Sequence, residues 1–408
     1  MQEKILIIAV KKAGQKEDRF RSSVEELISL CHTAGGQVVK VMTQTRNKIH
    51  PATYIGEGKK EEIRAQVEEL AVDLVISNDE LSPVQLRNLS SVIPARIIDR
   101  SQLILDIFAA RAKTKEGRLQ VELAQLEYLL PRLQGYGTSL SRLGGGIGTR
   151  GPGETKLEMD RRYLRNRIHD IKQKLQTVVK QRELYRKRRK SNQVLQIALV
   201  GYTNAGKSTL FNQLTKSDKL EEDTLFATLD PLTRKVQLPS GFQGLMTDTV
   251  GFLQDLPTAL IAAFRSPLEE TKEADLLLHV VDSSHPDYVQ HQETVLQLLK
   301  DLKADHLPML TVYNKKDLLH ETFIPNQHPA IVISAFDNDD IQKLLKKIEE
   351  LLKQEWHEYA LTLKQEEMNK LYSLEKGTMI TEKYFDEDRN AYVIRGFSRS
   401  PIQNDDTF

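Results

Sequence analysis

An eight-residue stretch between an apolar segment and a helical segment carries the clearest chemistry in the sequence. This stretch, GYTNAGKS, follows LQIALV and precedes TLFNQLT. In a strand–loop–helix setting, backbone N–H groups surround phosphates, Lys207 reaches the β- and γ-phosphates, and the Ser208 hydroxyl binds Mg²⁺. The pattern predicts a phosphate-binding loop formed by Gly201, Tyr202, Thr203, Asn204, Ala205, Gly206, Lys207, Ser208 and Thr209.

Three later motifs, each at the end of a predicted strand, select the nucleotide. DTVG places Asp248 near the metal, through water, and the Gly251 amide near a γ-phosphate. In NKKD, Asp317 can accept hydrogen bonds from guanine N1–H and the 2-amino group, which adenine cannot match. In SAF, backbone amides can meet guanine O6. These motifs add to the predicted GTP site Asp248, Thr249, Val250, Gly251, Asn314, Lys315, Lys316, Asp317, Ser334, Ala335 and Phe336.

A segment between the first two motifs is predicted to close over the nucleotide. FATLDPLTR contains Thr228, whose hydroxyl can bind Mg²⁺ while the γ-phosphate is present. The predicted switch consists of Phe226, Ala227, Thr228, Leu229 and Asp230. We therefore predict Lys207, Thr228 and Gly251 as the catalytic residues and Ser208, Thr228 and Asp248 as the Mg²⁺ site.

The residue that follows the DTVG glycine is unusual for a nucleotide hydrolase. Many GTPases place there a glutamine that orients the attacking water, whereas this chain has Phe252. A phenyl ring cannot form the required hydrogen bond. Intrinsic hydrolysis is therefore expected to be slow and to need another group that positions water.

A second unusual feature is a glycine-rich stretch inside a basic region. GYGTSLSRLGGGIGTRGPGETK, from Gly135 to Lys156, holds eight of the 21 glycines, and Pro131–Lys190 contains 17 Lys and Arg against 5 Asp and Glu. Such a concentration of positive charge favours a polyanionic partner such as RNA. The predicted RNA-binding residues are Tyr136, Arg142, Gly144, Gly145, Gly146, Arg150 and Lys156. The alternative is a flexible connection beside a solvated basic helix.

Hydrophobic periodicity places these motifs in an α/β fold with four segments. Strand and helix patterns alternate over residues 1–110 and again over 194–355, so two α/β domains are expected, the second a P-loop GTPase domain. Two leucine-rich seams in 111–193 predict a long antiparallel helical hairpin that projects, with the glycine-rich loop at its tip. Residues 356–408 form a small C-terminal α+β domain or extension.

Composition excludes several classes of protein. No apolar run approaches the roughly 20 residues of a membrane span, so a cytoplasmic protein is expected. The single cysteine, Cys31, cannot form an internal disulfide, and the ten histidines show no metal-ligand spacing. In YIGEGK, Gly56 and Gly58 are interpreted as turn residues rather than as an anion-binding nest.

The motifs together resemble one known family. The GTPase motifs, with QVELAQLEYLLPRL, SRLGGGIGTRGPGETKLEMDRR and YIGEGK, are similar to the HflX family of ribosome-associated GTPases over the chain to about Glu355. The resemblance implies GTP and GDP as ligands, binding to the large ribosomal subunit and its RNA near the peptidyl transferase region, and hydrolysis stimulated there. It also implies splitting or rescue of stalled or idle ribosomes under stress.

Several alternatives remain at this point. Asn204 resembles an asparagine that holds K⁺ in some relatives lacking the glutamine, and it is equally well interpreted as a turn residue. A signalling switch that acts on protein effectors would share every GTPase motif. An added ATP-dependent RNA-remodelling activity would need a nucleotide site in residues 1–110, which contain no second Walker pattern. A monomer is expected.

Overall fold

The protein divides into two compact units, each built around its own sheet. The computed structural model describes residues 2–133, 156–191, 194–216, 226, 231–254, 271–364, 368–387 and 389–402. The first unit contains the described residues up to Val179, together with Phe226 and Gln254. The other described residues form the second unit.

The first unit is built on a four-stranded parallel sheet in the order β2-β1-β3-β4. Its strands are β1 (Lys4–Lys12), β2 (Gln37–Arg46), β3 (Leu74–Ser77) and β4 (Arg96–Asp99). The helices between and after them are α1 (Glu17–Thr33), α2 (Glu57–Leu70), α3 (Pro83–Ser90) and α4 (Arg100–Arg111). This is the small parallel α/β domain that the alternating pattern predicts.

The burial of the central strand β1 shows that helices cover both faces of this sheet. All residues from Ile5 to Val10 are buried, as expected for a strand with helices on both sides. Ile8 packs in one cluster with Ile63 of α2, while Ala9 packs in another with Phe20 of α1. Alternate residues of β1 therefore serve two separate cores.

Two long helices follow the sheet, α5 (Lys115–Leu133) and α6 (Lys156–Ser191). Their predicted leucine seams meet: Leu123 packs with Ile168 and Ile171 in one buried cluster. This cluster also includes the half-buried residues Leu119, Leu126, Leu130 and Leu175.

Ion pairs flank the apolar seam on both sides. Arg167 Nε lies 2.6 Å from Glu122, and Lys172 Nζ lies 2.8 Å from Glu127. Glu122 and Arg167 directly precede the buried residues Leu123 and Ile168, so they occupy equivalent positions on their helices. Equivalent flanking positions face each other across antiparallel helices, and the contacts therefore agree with the predicted helical hairpin.

The second unit contains a six-stranded mixed sheet in the order β10-β9-β8-β5-β7-β6. All neighbouring strands are parallel except β6 and β7. The strands are β5 (Leu195–Gly201), β6 (Leu232–Gln237), β7 (Gln243–Asp248), β8 (Leu276–Asp282), β9 (Met309–Asn314) and β10 (Ala330–Val332). The helices are α7 (Lys207–Thr215), α8 (Tyr288–Asp301) and α9 (Asn338–Glu355).

A small antiparallel sheet completes the second unit. Its strands β11 (His357–Lys364), β12 (Met379–Asp386) and β13 (Ala391–Ser398) pair in the order β11-β13-β12 beside α10 (Met368–Gly377). Trp356 and Phe397 pack against the core of the six-stranded sheet, and Arg399 forms an ion pair with Asp275 at the start of β8. The segment is thus an α+β element docked on the larger sheet.

Among the described residues, no helix is long and apolar enough to cross a membrane.

Candidate nucleotide site

The phosphate-binding loop connects β5 to α7 at the carboxyl edge of the six-stranded sheet. β5 ends at Gly201 and α7 begins at Lys207, with Gly206 before it at φ +89°. A Cβ at Gly206 would overlap the Asn314 side-chain nitrogen. Only glycine therefore combines this backbone conformation with such close packing.

Asn314 holds three loops together behind this glycine. Its Nδ2 donates to the Ala205 carbonyl at 3.0 Å, and its Oδ1 accepts from the Ala335 amide at 3.0 Å. The side chain is 2% exposed. These contacts fix the phosphate-binding loop and the SAF loop relative to the end of β9.

Lys207 is buried at the start of α7. Its Nζ donates to the Tyr202 carbonyl at 2.7 Å. Burial lowers the pKa of Lys207 to about 8, and the charge of Asp248 opposes this shift. A Cβ on Gly251 would lie 3.1 Å from this ammonium group, so the DTVG glycine approaches the lysine closely.

The two described residues of the predicted metal site are in contact. Ser208 Oγ donates to Asp248 Oδ2 at 2.8 Å, and Asp248 is 2% exposed. A hydroxyl and a carboxylate side by side are oxygen ligands of the kind that Mg²⁺ prefers. The donor set therefore fits Mg²⁺, whether Asp248 acts directly or through water.

Phe252 lies in the core and not at the phosphates. Its ring is 1% exposed, its amide donates to the Gly201 carbonyl at 3.1 Å, and its carbonyl accepts from the Thr203 amide at 2.8 Å. The residue after the DTVG glycine thus belongs to a short backbone pairing with the phosphate-binding loop. Its side chain has no route to the attacking water, which agrees with the chemical argument from the sequence.

The predicted base-reading residues lie at the ends of β9 and β10. Asp317 is exposed, and its Oδ1 accepts from the Ser334 hydroxyl at 2.5 Å. Lys315 pairs with Asp282 at 2.6 Å, which fixes the loop from behind. This leaves a carboxylate on the surface next to the SAF motif, where a guanine edge can meet it.

Three other residues predicted here make contacts within the protein. Lys316 pairs with Asp340 at 3.1 Å, the Ala335 amide donates to Asn314, and the Phe336 amide donates to the Ser334 hydroxyl at 3.3 Å. The SAF amides assigned to guanine O6 are thus engaged within the loops in this structure. The Phe336 ring is 70% exposed beside them.

An aromatic stack that the sequence did not predict lies at the phosphate-binding loop. The Tyr202 ring stacks on His291 of α8, with ring centroids 3.8 Å apart and planes 7° apart. Burial lowers the pKa of His291 to about 4, with the nearby His285 as a second cause. A neutral imidazole is a good stacking partner, but no spacing rule connects residues 202 and 291.

The predicted switch and RNA-binding residues are mostly outside the described residues. Among the switch residues only Phe226 is described, and it lies in the first unit with its ring edge-on to Phe108, 4.4 Å between centroids. Lys156 is the first residue of α6. The residues outside the described ranges are Ala227, Thr228, Leu229, Asp230, Tyr136, Arg142, Gly144, Gly145, Gly146 and Arg150.

The remaining motif residues lie in the loop itself or near it. Asn204 has φ +60° and is exposed, which suits an asparagine in a turn. Thr209 lies in the first turn of α7, and Thr249 is fully buried with its hydroxyl donating to Leu199. Val250 is also buried.

Models of known families match three consecutive parts of the chain. Residues 21–109 match a GTP-binding GTPase N-terminal region, and residues 111–189 match a GTP-binding GTPase middle region. Residues 196–315, which include the phosphate-binding loop and NKKD up to Lys315, match a 50S ribosome-binding GTPase.

Individual relatives extend the match over almost the whole chain. GTPase HflX of Alkalihalophilus pseudofirmus is 55% identical over 386 residues, covering 94% of this chain and 91% of the relative. GTPase HflX of Escherichia coli is 42% identical over 382 residues, covering 91% and 89%.

A solved structure of a GTP-binding protein from Sulfolobus solfataricus in complex with GDP is more distant. It is 22% identical, covers 85% of this chain and 98% of its own, and has a TM-score of 0.45. The family assignment therefore rests on the sequence matches. By these, the chain belongs to the HflX family of GTPases.

Proposed function

We propose that this protein is an Mg²⁺-dependent GTPase that binds the large ribosomal subunit in its GTP form and separates or rescues stalled or idle ribosomes. The observation that carries the nucleotide half is the convergence of Lys207, the Ser208–Asp248 pair and the Asp317–Ser334 pair at one sheet edge. The ribosomal half rests on the family, whose matched model is described as a 50S ribosome-binding GTPase.

Different residues of the phosphate-binding loop and the DTVG motif have separate roles in phosphate binding. Lys207 leaves the Tyr202 carbonyl for the β- and γ-phosphates, because a charged phosphate oxygen is a stronger acceptor than a neutral carbonyl. Ser208 and Asp248 would hold Mg²⁺, which would neutralise part of the phosphate charge. Gly251, which lies close to Lys207, offers its amide to the γ-phosphate.

Hydrolysis needs a group that this site does not supply at position 252. The Phe252 ring is buried and cannot orient water. We propose that Thr228 completes the site and that docking on the large subunit brings the water into line, so that the ribosome stimulates an intrinsically slow reaction. K⁺ at Asn204 is a further proposed cofactor, and the turn role of this residue is its alternative.

The middle segment supplies the proposed RNA contact. Residues 131–190 carry 17 basic against 5 acidic side chains, and RNA has the phosphate density that such a charge attracts. We assign Tyr136, Arg142, Gly144, Gly145, Gly146, Arg150 and Lys156 to this contact. The proposed domains are 1–110, 111–193, 194–355 and 356–408, in a monomeric cytoplasmic protein that acts under stress.

The test separates the two halves of the proposal. Deleting Gly144–Gly151 should leave the affinity for GTP within about twofold, because no nucleotide motif is touched. Binding to purified large subunits should fall at least about tenfold and become less dependent on salt, since fewer phosphate contacts release fewer counterions.

A variant that keeps full subunit binding would reduce the glycine-rich stretch to a linker and favour a switch that acts on proteins. Loss of GTP binding would instead show that the stretch takes part in the nucleotide site. The Gln173→Ala variant on the exposed side of α6 is the matched control for both measurements.

A further inference from the structure

A buried carboxylate at the start of α9 contacts both loops that are predicted to read the base, the NKKD loop and the SAF loop. Asp340 is 1% exposed. Its Oδ2 accepts from the Ser334 amide at 3.1 Å and lies 3.1 Å from Lys316 Nζ. Its Oδ1 lies 3.0 Å from Nζ of Lys343, which belongs to α9 itself. One side chain therefore joins the SAF loop to the NKKD loop.

The serine that Asp340 holds also contacts the predicted base reader. Ser334 is 6% exposed, and its hydroxyl donates to Asp317 Oδ1 at 2.5 Å. A chain of two hydrogen bonds therefore leads from Asp340 through Ser334 to the Asp317 carboxylate. The orientation of that carboxylate depends on where Asp340 holds the serine.

The lysine that Asp340 holds is the residue directly before Asp317. Although the Lys316 side chain is 49% exposed, its ammonium group pairs with Asp340, which fixes the NKKD loop next to the base reader. Asp317 is thus restrained twice, through the Ser334 hydroxyl and through the adjacent lysine. Such restraint matters because two hydrogen bonds from one guanine edge require both carboxylate oxygens to be aligned with their donors.

Stabilisation of the helix start is an alternative role for Asp340, because acids in the first turn interact favourably with the helix dipole. Two exposed acids already serve there: the Asp337 side chain caps α9, and Asp339 adds a charge in the first turn. Burial of a carboxylate carries a desolvation cost, which is offset only where good partners surround the group. The Ser334 amide and Lys316 are such partners, so the buried position of Asp340 is tied to the loops rather than to the helix start.

We propose that Asp340 is a positioning residue for base recognition: it holds Ser334 and Lys316 so that Asp317 presents both carboxylate oxygens to guanine. This inference rests on the proposed function, because it takes Asp317 to be the group that accepts from guanine N1–H and the 2-amino group. Asp340 then determines the preference for GTP over ITP, whose base lacks only the 2-amino group.

The test compares the affinities of the protein for GTP and ITP in the presence of Mg²⁺, measured by isothermal titration. The native protein should prefer GTP about 10- to 100-fold, because ITP leaves one hydrogen bond to the carboxylate unmade. Asp340→Ala should lower this preference at least about fivefold, because the Ser334 amide loses its acceptor and Lys316 loses its partner. Asp340→Asn keeps an oxygen acceptor for the amide but not the charge, and should lower the preference by only about two- to threefold.

The matched control is another buried carboxylate of the same helix. Glu349 is 7% exposed, accepts from the Ser240 amide at 2.8 Å and lies 2.7 Å from Lys353 Nζ. It therefore holds a loop amide and a lysine as Asp340 does, but neither partner belongs to NKKD or SAF. Glu349→Ala should lower the midpoint of thermal unfolding about as much as Asp340→Ala and should keep the native preference for GTP.

A native preference in folded Asp340→Ala would overturn the proposal, and so would an equal loss of preference in Glu349→Ala, which would indicate general loosening. If Asp340→Ala does not fold, a native preference in Asp340→Asn overturns it instead. In each of these cases the native protein still prefers GTP, so the proposed function stands. A native protein that binds GTP, ITP and ATP with equal affinity would refute the guanine site itself, and the role of Asp340 would fail with it.

Discussion

The four-stranded sheet of the first unit and the six-stranded sheet of the second unit use their carboxyl edges in opposite ways. In such sheets, ligands bind outside the strand ends where the strand order reverses. In the first unit this point lies between β1 and β3, and Tyr54 fills it. The fully buried phenol accepts from the Val10 amide at 3.1 Å and donates to Asp79 at 2.6 Å.

The corresponding edge of the second unit combines a buried lysine with an exposed carboxylate. Lys207 donates to the neutral carbonyl oxygen of Tyr202, and the Asp317 side chain is exposed. In the first unit, Arg100 and Arg132 form ion pairs with the buried carboxylates of Glu26 and Asp99. The topology of such a sheet forms a crevice at its carboxyl edge. The side chains there determine whether the crevice binds a ligand or is filled by the protein itself.

The largest effect is expected from replacing Lys207 at the carboxyl edge of the six-stranded sheet. Lys207→Ala should weaken GTP binding about 100-fold, because a hydrogen-bonded charge pair contributes about 1.5–3 kcal/mol. Isothermal titration measures the loss. Lys343→Ala, which removes a lysine paired with Asp340 in the same unit, is the control and should bind GTP normally. Equal losses in the two variants would deny Lys207 a special role.

A smaller effect, on stability alone, is expected from replacing Tyr54, which fills the carboxyl edge of the first sheet. Tyr54→Phe removes the acceptor of the buried Val10 amide and should lower the free energy of unfolding by about 1–3 kcal/mol. Urea denaturation measures this change, and GTP affinity should remain native. A change in GTP affinity with no loss of stability would mean that the first edge takes part in nucleotide binding after all.

The smallest effect is a dependence of GTP affinity on pH. The pKa of Lys207 is about 8 in the protein without nucleotide, and bound phosphates favour the charged form and raise it. Above pH 8 binding must therefore take up a proton, so affinity is flat below that pH and falls about tenfold between pH 7 and 9. In Lys207→Arg, whose guanidinium stays charged, the fall should be absent. A parallel fall in both proteins would assign it to another group, such as the base.

Much of the nucleotide site could be predicted because its chemistry is contiguous in the chain. GYTNAGKS, DTVG and NKKD each place several functional groups on one loop, so a short pattern defines them. The stack of Tyr202 on His291 and the ion pair of Arg132 with Asp99 depend on residues brought together from distant segments. No spacing in the sequence indicates such pairs.

The association of α5 with α6 could be predicted because each helix carries a regular apolar seam. The 4-3-4 spacing of these residues indicates one buried stripe on each helix, and the two stripes pack together. The ion pairs of Glu122 with Arg167 and of Glu127 with Lys172 depend on how the two segments meet, which neither segment shows alone.

The most direct test measures which nucleotide base is selected at the carboxyl edge of the six-stranded sheet. In Asp317→Asn one acceptor of the carboxylate becomes a donor, so the variant should lose affinity for GTP and gain affinity for XTP, whose base has a carbonyl in place of the 2-amino group. Asp282→Asn, which alters the carboxylate behind the same loop, serves as control and should keep the native preference. The account predicts that the ratio of XTP to GTP affinity rises at least about 100-fold in Asp317→Asn only. An unchanged order of GTP, XTP and ATP in this variant would contradict the claim that this edge reads guanine.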